Sequence, residues 1–118
     1  MAPVAAMKPE ITFEDFQRVD IRVGTIREIS DVAGSKKLLR LRVDFGDRTR
    51  TILSGMKGER PDPEAIVGLQ TLFVVNLAPR RMAGEISEGM LLDIGYADGI
   101  PPALALPERR VPDGSRAG

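Results

Sequence analysis

The 118-residue sequence has no cysteine, no histidine and no tryptophan. Without cysteine there are no disulfides, thiolate nucleophiles or Cys-ligated zinc sites. Without histidine the commonest general base near neutral pH and the commonest transition-metal ligand are missing as well. Most enzyme mechanisms lose their usual parts, so the sequence predicts a non-catalytic protein with no metal or cofactor. Aromatic residues are scarce, with four Phe and one Tyr. A general single-strand nucleic-acid binder that stacks many bases on exposed rings is therefore not expected. Net charge is also lacking, with 17 basic residues against 17 acidic, so any contact with a polyanion must rest on a local patch. No segment approaches the roughly 18 consecutive apolar residues of a membrane helix, so no membrane insertion is expected. Met1 to Glu10 has Lys8 as its one basic residue and no apolar core of a secretory signal. The expectation is a soluble, cytoplasmic protein.

What is present is globular in character, at 42% hydrophobic and 29% charged residues, and of a length that buries one core. The division expected is a flexible N-terminus over 1–10, a folded domain over 11–106 and a loosely ordered tail over 107–118. Thr12 reads as the cap of a short helical turn in which Phe13 and Phe16 share a face that would plug one end of a barrel. Val19, Ile21 and Val23 alternate with polar residues as a half-buried strand, and Gly24, where the alternation slips, reads as a bulge or sharp bend. Leu39, Leu41, Val43 and Phe45 alternate with Arg40, Arg42 and Asp44 in the clearest strand. Gly46-Asp47 then turns the chain into a β-branched strand at Thr49 to Leu53.

Asp62-Pro63 to Gly68 has the cap, the first-turn proline and the terminating glycine of a one- to two-turn helix. Leu69 to Leu77 is a nearly continuous apolar run, as in a strand buried on both faces or lying at a subunit contact. Met90 to Ile94 is a fifth strand, and Ala103 to Leu106 a short added edge strand. Five short strands with a small helix between the third and fourth predict an all-β fold, a five-stranded Greek-key OB-fold barrel with short helices and a C-terminal extension.

Three stretches have wording beyond what a barrel needs: Val19-Asp20-Ile21-Arg22-Val23-Gly24-Thr25-Ile26, Asn76-Leu77-Ala78-Pro79-Arg80-Arg81-Met82-Ala83-Gly84 and Ser87-Glu88-Gly89-Met90-Leu91-Leu92. With Ser54-Gly55 after the third strand, they resemble the tRNA-binding-domain family. That family includes the C-terminal appendage of bacterial methionyl-tRNA synthetases, free-standing dimeric tRNA-binding proteins and CsaA-type protein-export chaperones. The resemblance runs from about Phe16 to Ile94. Ala78 to Arg81 looks like the chaperone branch and Ser87 to Met90 like the tRNA branch. Val32-Ala33-Gly34-Ser35-Lys36-Lys37-Leu38 departs from the family's usual His-Pro wording and keeps only its Lys-Leu ending.

The candidate binding residues are Lys36, Lys37, Arg40, Arg42, Ser54, Asn76, Arg80, Arg81, Ser87, Glu88 and Met90. Around one face of a barrel the six cations among them would form a phosphate-binding patch. The other reading is a solvated face neutralised by Asp20, Asp44 and Asp47. Asn76 could equally be a turn residue, Ser87 and Glu88 a polar turn, and Met90 core filling; the resemblance favours ligand contact. It implies a homodimer binding tRNA or another structured RNA, or alternatively a chaperone that holds unfolded preproteins in the same groove for the export machinery.

Overall fold

Thr12 caps the first helix. Its hydroxyl accepts a hydrogen bond from the Asp15 backbone N–H at 3.1 Å, and α1 (Phe13–Gln17) follows, in a computed structural model that describes residues 4–118. Residues 1–3 of the expected N-terminal arm lie outside the described residues. Phe13 and Phe16 do not plug the barrel: they are 71% and 45% exposed. The Phe45 end of the core is covered instead by Asp113 and Gly114, which pack so closely on Phe45 and Gly46 that only glycine fits at 46 and 114.

The first strand, β1 (Ile21–Asp31), begins after the exposed Val19 and has different neighbours along its length. Its start pairs with β4 (Gln70–Val74) and its end with β2 (Leu39–Asp44), so one long strand turns the corner of the sheet. The irregularity that allows this lies at Arg27, where the register with β2 jumps from Ile26 to Glu28, and not at Gly24. Gly24 has a different duty: a Cβ there would sit 2.5 Å from Val43 Cγ1 and 2.8 Å from a Phe45 ring carbon. The alternation slips at Gly24 because the strand presses onto the core there.

In β2 (Leu39–Asp44) the apolar members face the core and Arg40, Arg42 and Asp44 stand half-exposed on the other side. The Gly46-Asp47 turn, closed by a Phe45 N–H to Arg48 carbonyl bond of 2.9 Å, leads into β3 (Thr49–Ser54). The expected helix is a single 3-10 turn at Pro63–Ile66, with no capping bond from the Asp62 side chain, and it buries Ile66. Strand β4 (Gln70–Val74) is flanked by β1 and by β7 (Met90–Leu91) and buried on both faces within its own chain, so its apolar run is not free for a subunit contact.

A hairpin that alternation did not reveal comes next: β5 (Arg80–Met82) and β6 (Glu85–Ser87), turned by Ala83 and Gly84 at φ of 50° and 82°. Arg80 and Arg81 are thus strand residues of this hairpin. The expected fifth strand is broken at Leu92 into β7 (Met90–Leu91) and β8 (Asp93–Ile94), and β8 pairs with the edge strand β9 (Ala103–Leu104).

The main sheet runs β3-β2-β1-β4-β7 and curls on itself, the OB-type arrangement expected from the strand order. Ile26, Leu41, Val43, Ile52 and Phe73 have no exposed surface, and the Phe45 and Phe73 rings meet edge to face at 5.4 Å. No helix among the described residues is long and apolar enough to cross a membrane.

The tail is not loose. Its last strand, β10 (Arg116–Ala117), pairs with β1 at Ile21 and Arg22, on the edge that β2 leaves open. Ahead of it, Gln70 exchanges hydrogen bonds with the Val111 backbone at 2.6 and 3.1 Å, and the Thr25 hydroxyl donates to Asp113 at 2.6 Å. Thr25 and Gln70 are buried polar side chains that need partners, and the tail supplies them.

Candidate nucleic-acid interface

The barrel closes between β3 and β7 through the Ser87-Glu88-Gly89 segment. The buried Ser87 Oγ accepts from the Leu53 N–H and donates to the Gly89 carbonyl, both at 3.0 Å. The Glu88 N–H donates to the Thr51 carbonyl at 2.9 Å while a Glu88 carboxylate oxygen accepts from the Thr51 N–H at 3.1 Å. Gly89 passes so near the sheet that a Cβ would lie 2.8 Å from the Val74 carbonyl oxygen. Every group in this motif thus has a job in the seam, and the seam anchors the β5–β6 hairpin beside β3.

Two depressions flank that hairpin. A groove of about 380 Å³ brings Ser54, Arg80, Ser87 and Met90 together with Leu77, Met82, Asp93 and Tyr96. An open cleft of about 620 Å³ is lined by Thr51, Arg81, Ile86 and Glu88. Met90 is 45% exposed, so it is not core filling. Lys36 and Lys37 are exposed in the loop that leads into β2. There Ser35 Oγ accepts from the Lys37 and Leu38 N–H groups, and the Lys37 carbonyl accepts from the Lys57 N–H. A serine turn therefore shapes this loop where the family's histidine-proline wording is absent.

The six cations differ in what they touch. Arg40 is engaged on all sides: it forms a bidentate pair with Glu85 and donates to Ser30 Oγ at 2.7 Å and the Asp31 carbonyl at 3.1 Å. The Arg40 guanidinium holds the Glu85 carboxyl below its ordinary value, and Glu85 in turn raises Arg40. Arg42 donates to Thr51 Oγ1 at 2.7 Å. Among the described residues Lys36, Lys37, Arg42, Arg80 and Arg81 form no ion pair. The carboxylates that would have neutralised them are taken elsewhere. Asp20 pairs with Arg22 and Arg116, Asp44 with Arg27 and Asp47 with Arg48.

Asn76 is used inside the fold. Its Nδ2 donates to the Arg18 carbonyl at 2.6 Å and its Oδ1 accepts from the Asp20 N–H at 2.8 Å, clamping α1 to the end of β4. It lines one cavity beside α1 and another by Phe45 and Asp113, not the groove. Sequence reading did not select Glu85, Leu77, Met82 or Tyr96. Tyr96 had a signal, being the one tyrosine of the chain; Glu85 had none, because its partner is 45 residues away.

Residues 21–116 match the family model described as "Putative tRNA binding domain". Among solved structures, the chain is similar to a methionyl-tRNA-synthetase-related protein from Pyrococcus horikoshii, at 33% identity and a TM-score of 0.85, covering 94% of this chain and 100% of that one. It is also similar to the chaperone CsaA of Bacillus anthracis, at 29% identity and a TM-score of 0.78, over 93% and 100% of the two chains. A CsaA chaperone from Picrophilus torridus is similar at 28% identity and a TM-score of 0.81, over 92% and 100%.

Proposed function

Because this chain belongs to the tRNA-binding-domain family, we propose that it binds folded tRNA without catalysis, through a local basic surface and as a homodimer. The observation that carries the reading is a pair of cations without carboxylate partners, Arg80 at the groove and Arg81 at the cleft, with Arg42 bonded to the cleft residue Thr51, in a molecule whose net charge is zero. The exposed Lys36 and Lys37 of the loop before β2 are added to the proposed contact set. Phosphates recruit such cations at the expense of condensed counterions, so the binding is electrostatic and falls as salt rises. Ser54 and Met90 complete the contact set. Arg40, Asn76, Ser87 and Glu88 act by holding the frame. For the second subunit, the support is the exposed apolar row Phe13, Phe16 and Val19 beside the β10 edge.

The test is retardation of a folded tRNA transcript in a native gel. Retardation at low salt that weakens steeply as salt rises, and that Arg80→Glu reduces at least tenfold, is the expected result. No retardation at low salt ends the RNA reading. Sedimentation equilibrium at micromolar concentration should give a dimer.

A second reading has its own support in the CsaA similarity and in the groove's Leu77, Met82 and Met90, which suit an unfolded preprotein segment. Polypeptide binding would show weak salt dependence and a negative heat-capacity change, where tRNA shows the steep salt dependence.

A further inference from the structure

We infer that Tyr96 is a stacking platform for one unpaired nucleotide whose phosphate is met by Arg80, an inference that rests on the RNA-binding reading above. Tyr96 is 73% exposed and borders the groove that also holds Arg80. The backbone beneath it is fixed. Gly95 stands at φ +105°, where a Cβ would fall 2.4 Å from Ile100 Cγ1. The Ile100 N–H and the Asp98 N–H both donate to the Gly95 carbonyl, and the Gly99 N–H donates to the Tyr96 carbonyl.

This tight turn presents an aromatic ring on a rigid base, and a tyrosine has few rotatable bonds to immobilise on contact. Its surroundings suit a base: Leu77 and Met90 are part-exposed apolar side chains at the same groove. Arg80 has no carboxylate partner among the described residues, which leaves its charge for a phosphate. Asp93, at the same groove, is an acceptor for the amino group of a base and repels a second phosphate. With one ring at this groove, one nucleotide is held there. The inferred ligand is therefore an RNA with an unpaired end or a bulged base rather than a long single strand.

The chain's own spectroscopy makes the test direct. It has no tryptophan and a single tyrosine, so its tyrosine emission comes from Tyr96 alone. The probes are an RNA hairpin with a short 3′ overhang and the same hairpin with a blunt end. The overhang hairpin should quench the emission and bind roughly tenfold more tightly, the value of one stacked base. Tyr96→Ala should erase that preference and leave blunt-hairpin affinity unchanged, while Tyr96→Phe should keep it. Equal affinity for the two hairpins, or a preference that survives Tyr96→Ala, overturns the inference and leaves the RNA-binding reading intact. Quenching by an unfolded polypeptide but not by the overhang overturns it in favour of a peptide groove. Failure of both hairpins and of folded tRNA to bind at low salt overturns both readings.

Discussion

Ser87 is 4% exposed, and its hydroxyl joins two strands that have no ladder of their own. Ser87→Ala strips the Leu53 N–H of its acceptor inside the barrel, a loss of about 1–3 kcal/mol. In urea the unfolding midpoint should fall while the slope is unchanged, since the same surface is exposed. Glu85 supplies a pH-dependent counterpart. Arg40 holds its carboxyl below the ordinary value of 4.5, so the pair stabilises the fold above that pH. The contribution is lost as acid takes the pH down through the folded-state value. Glu85→Gln should flatten the fall in thermal stability below about pH 4.5, though not abolish it. Asp44, lowered first by the Gly46 N–H and then by Arg27, and Asp20, lowered mainly by Arg22, titrate in the same direction. At this scale the family wording selected Arg80, Arg81 and Met90, and the structure places Arg80 and Met90 at the groove and Arg81 at the neighbouring cleft. It did not show that Asn76, Ser87 and Glu88 are occupied, because their partners Arg18, Asp20, Thr51 and Leu53 lie far off in sequence.

Among elements, β2 was readable because its alternation spans several residues and nothing in the tertiary structure opposes it. The β5–β6 hairpin was not: three residues a side carry no period, and Ala83-Gly84 lacks the asparagine or aspartate that usually announces so tight a turn. The tail misled for a related reason. Its prolines, glycines and charges read as a loose segment, yet its order comes from backbone groups and from Asp113 meeting Thr25 and Gln70. Removing residues 111–118 should therefore cost at least about 3 kcal/mol, since several buried polar groups lose their partners together. The melting temperature should fall by more than about 10 °C. An unchanged melt would show that water replaces the strap without penalty.

Over the whole molecule, zero net charge means that attraction to RNA depends on where the cations sit. Arg109 and Arg110 lie by Gly68 to Gln70, at the opposite end of β4 from the groove. Arg109→Ala with Arg110→Ala should leave tRNA affinity within about twofold, whereas Arg81→Ala should lower the slope of log affinity against log salt by about one. Equal effects from the two sites would mean that the field, and not the patch, governs binding. The β10 pairing also sets a timetable for the chain as it is made. Arg22 finds its Gly114 carbonyl 92 residues later, and the neighbouring Val23 finds Ser115. A ribosome must therefore finish almost every strand before the first can satisfy its outer edge. Until then that edge is an open template on the nascent polypeptide, the stretch most in need of shelter during translation.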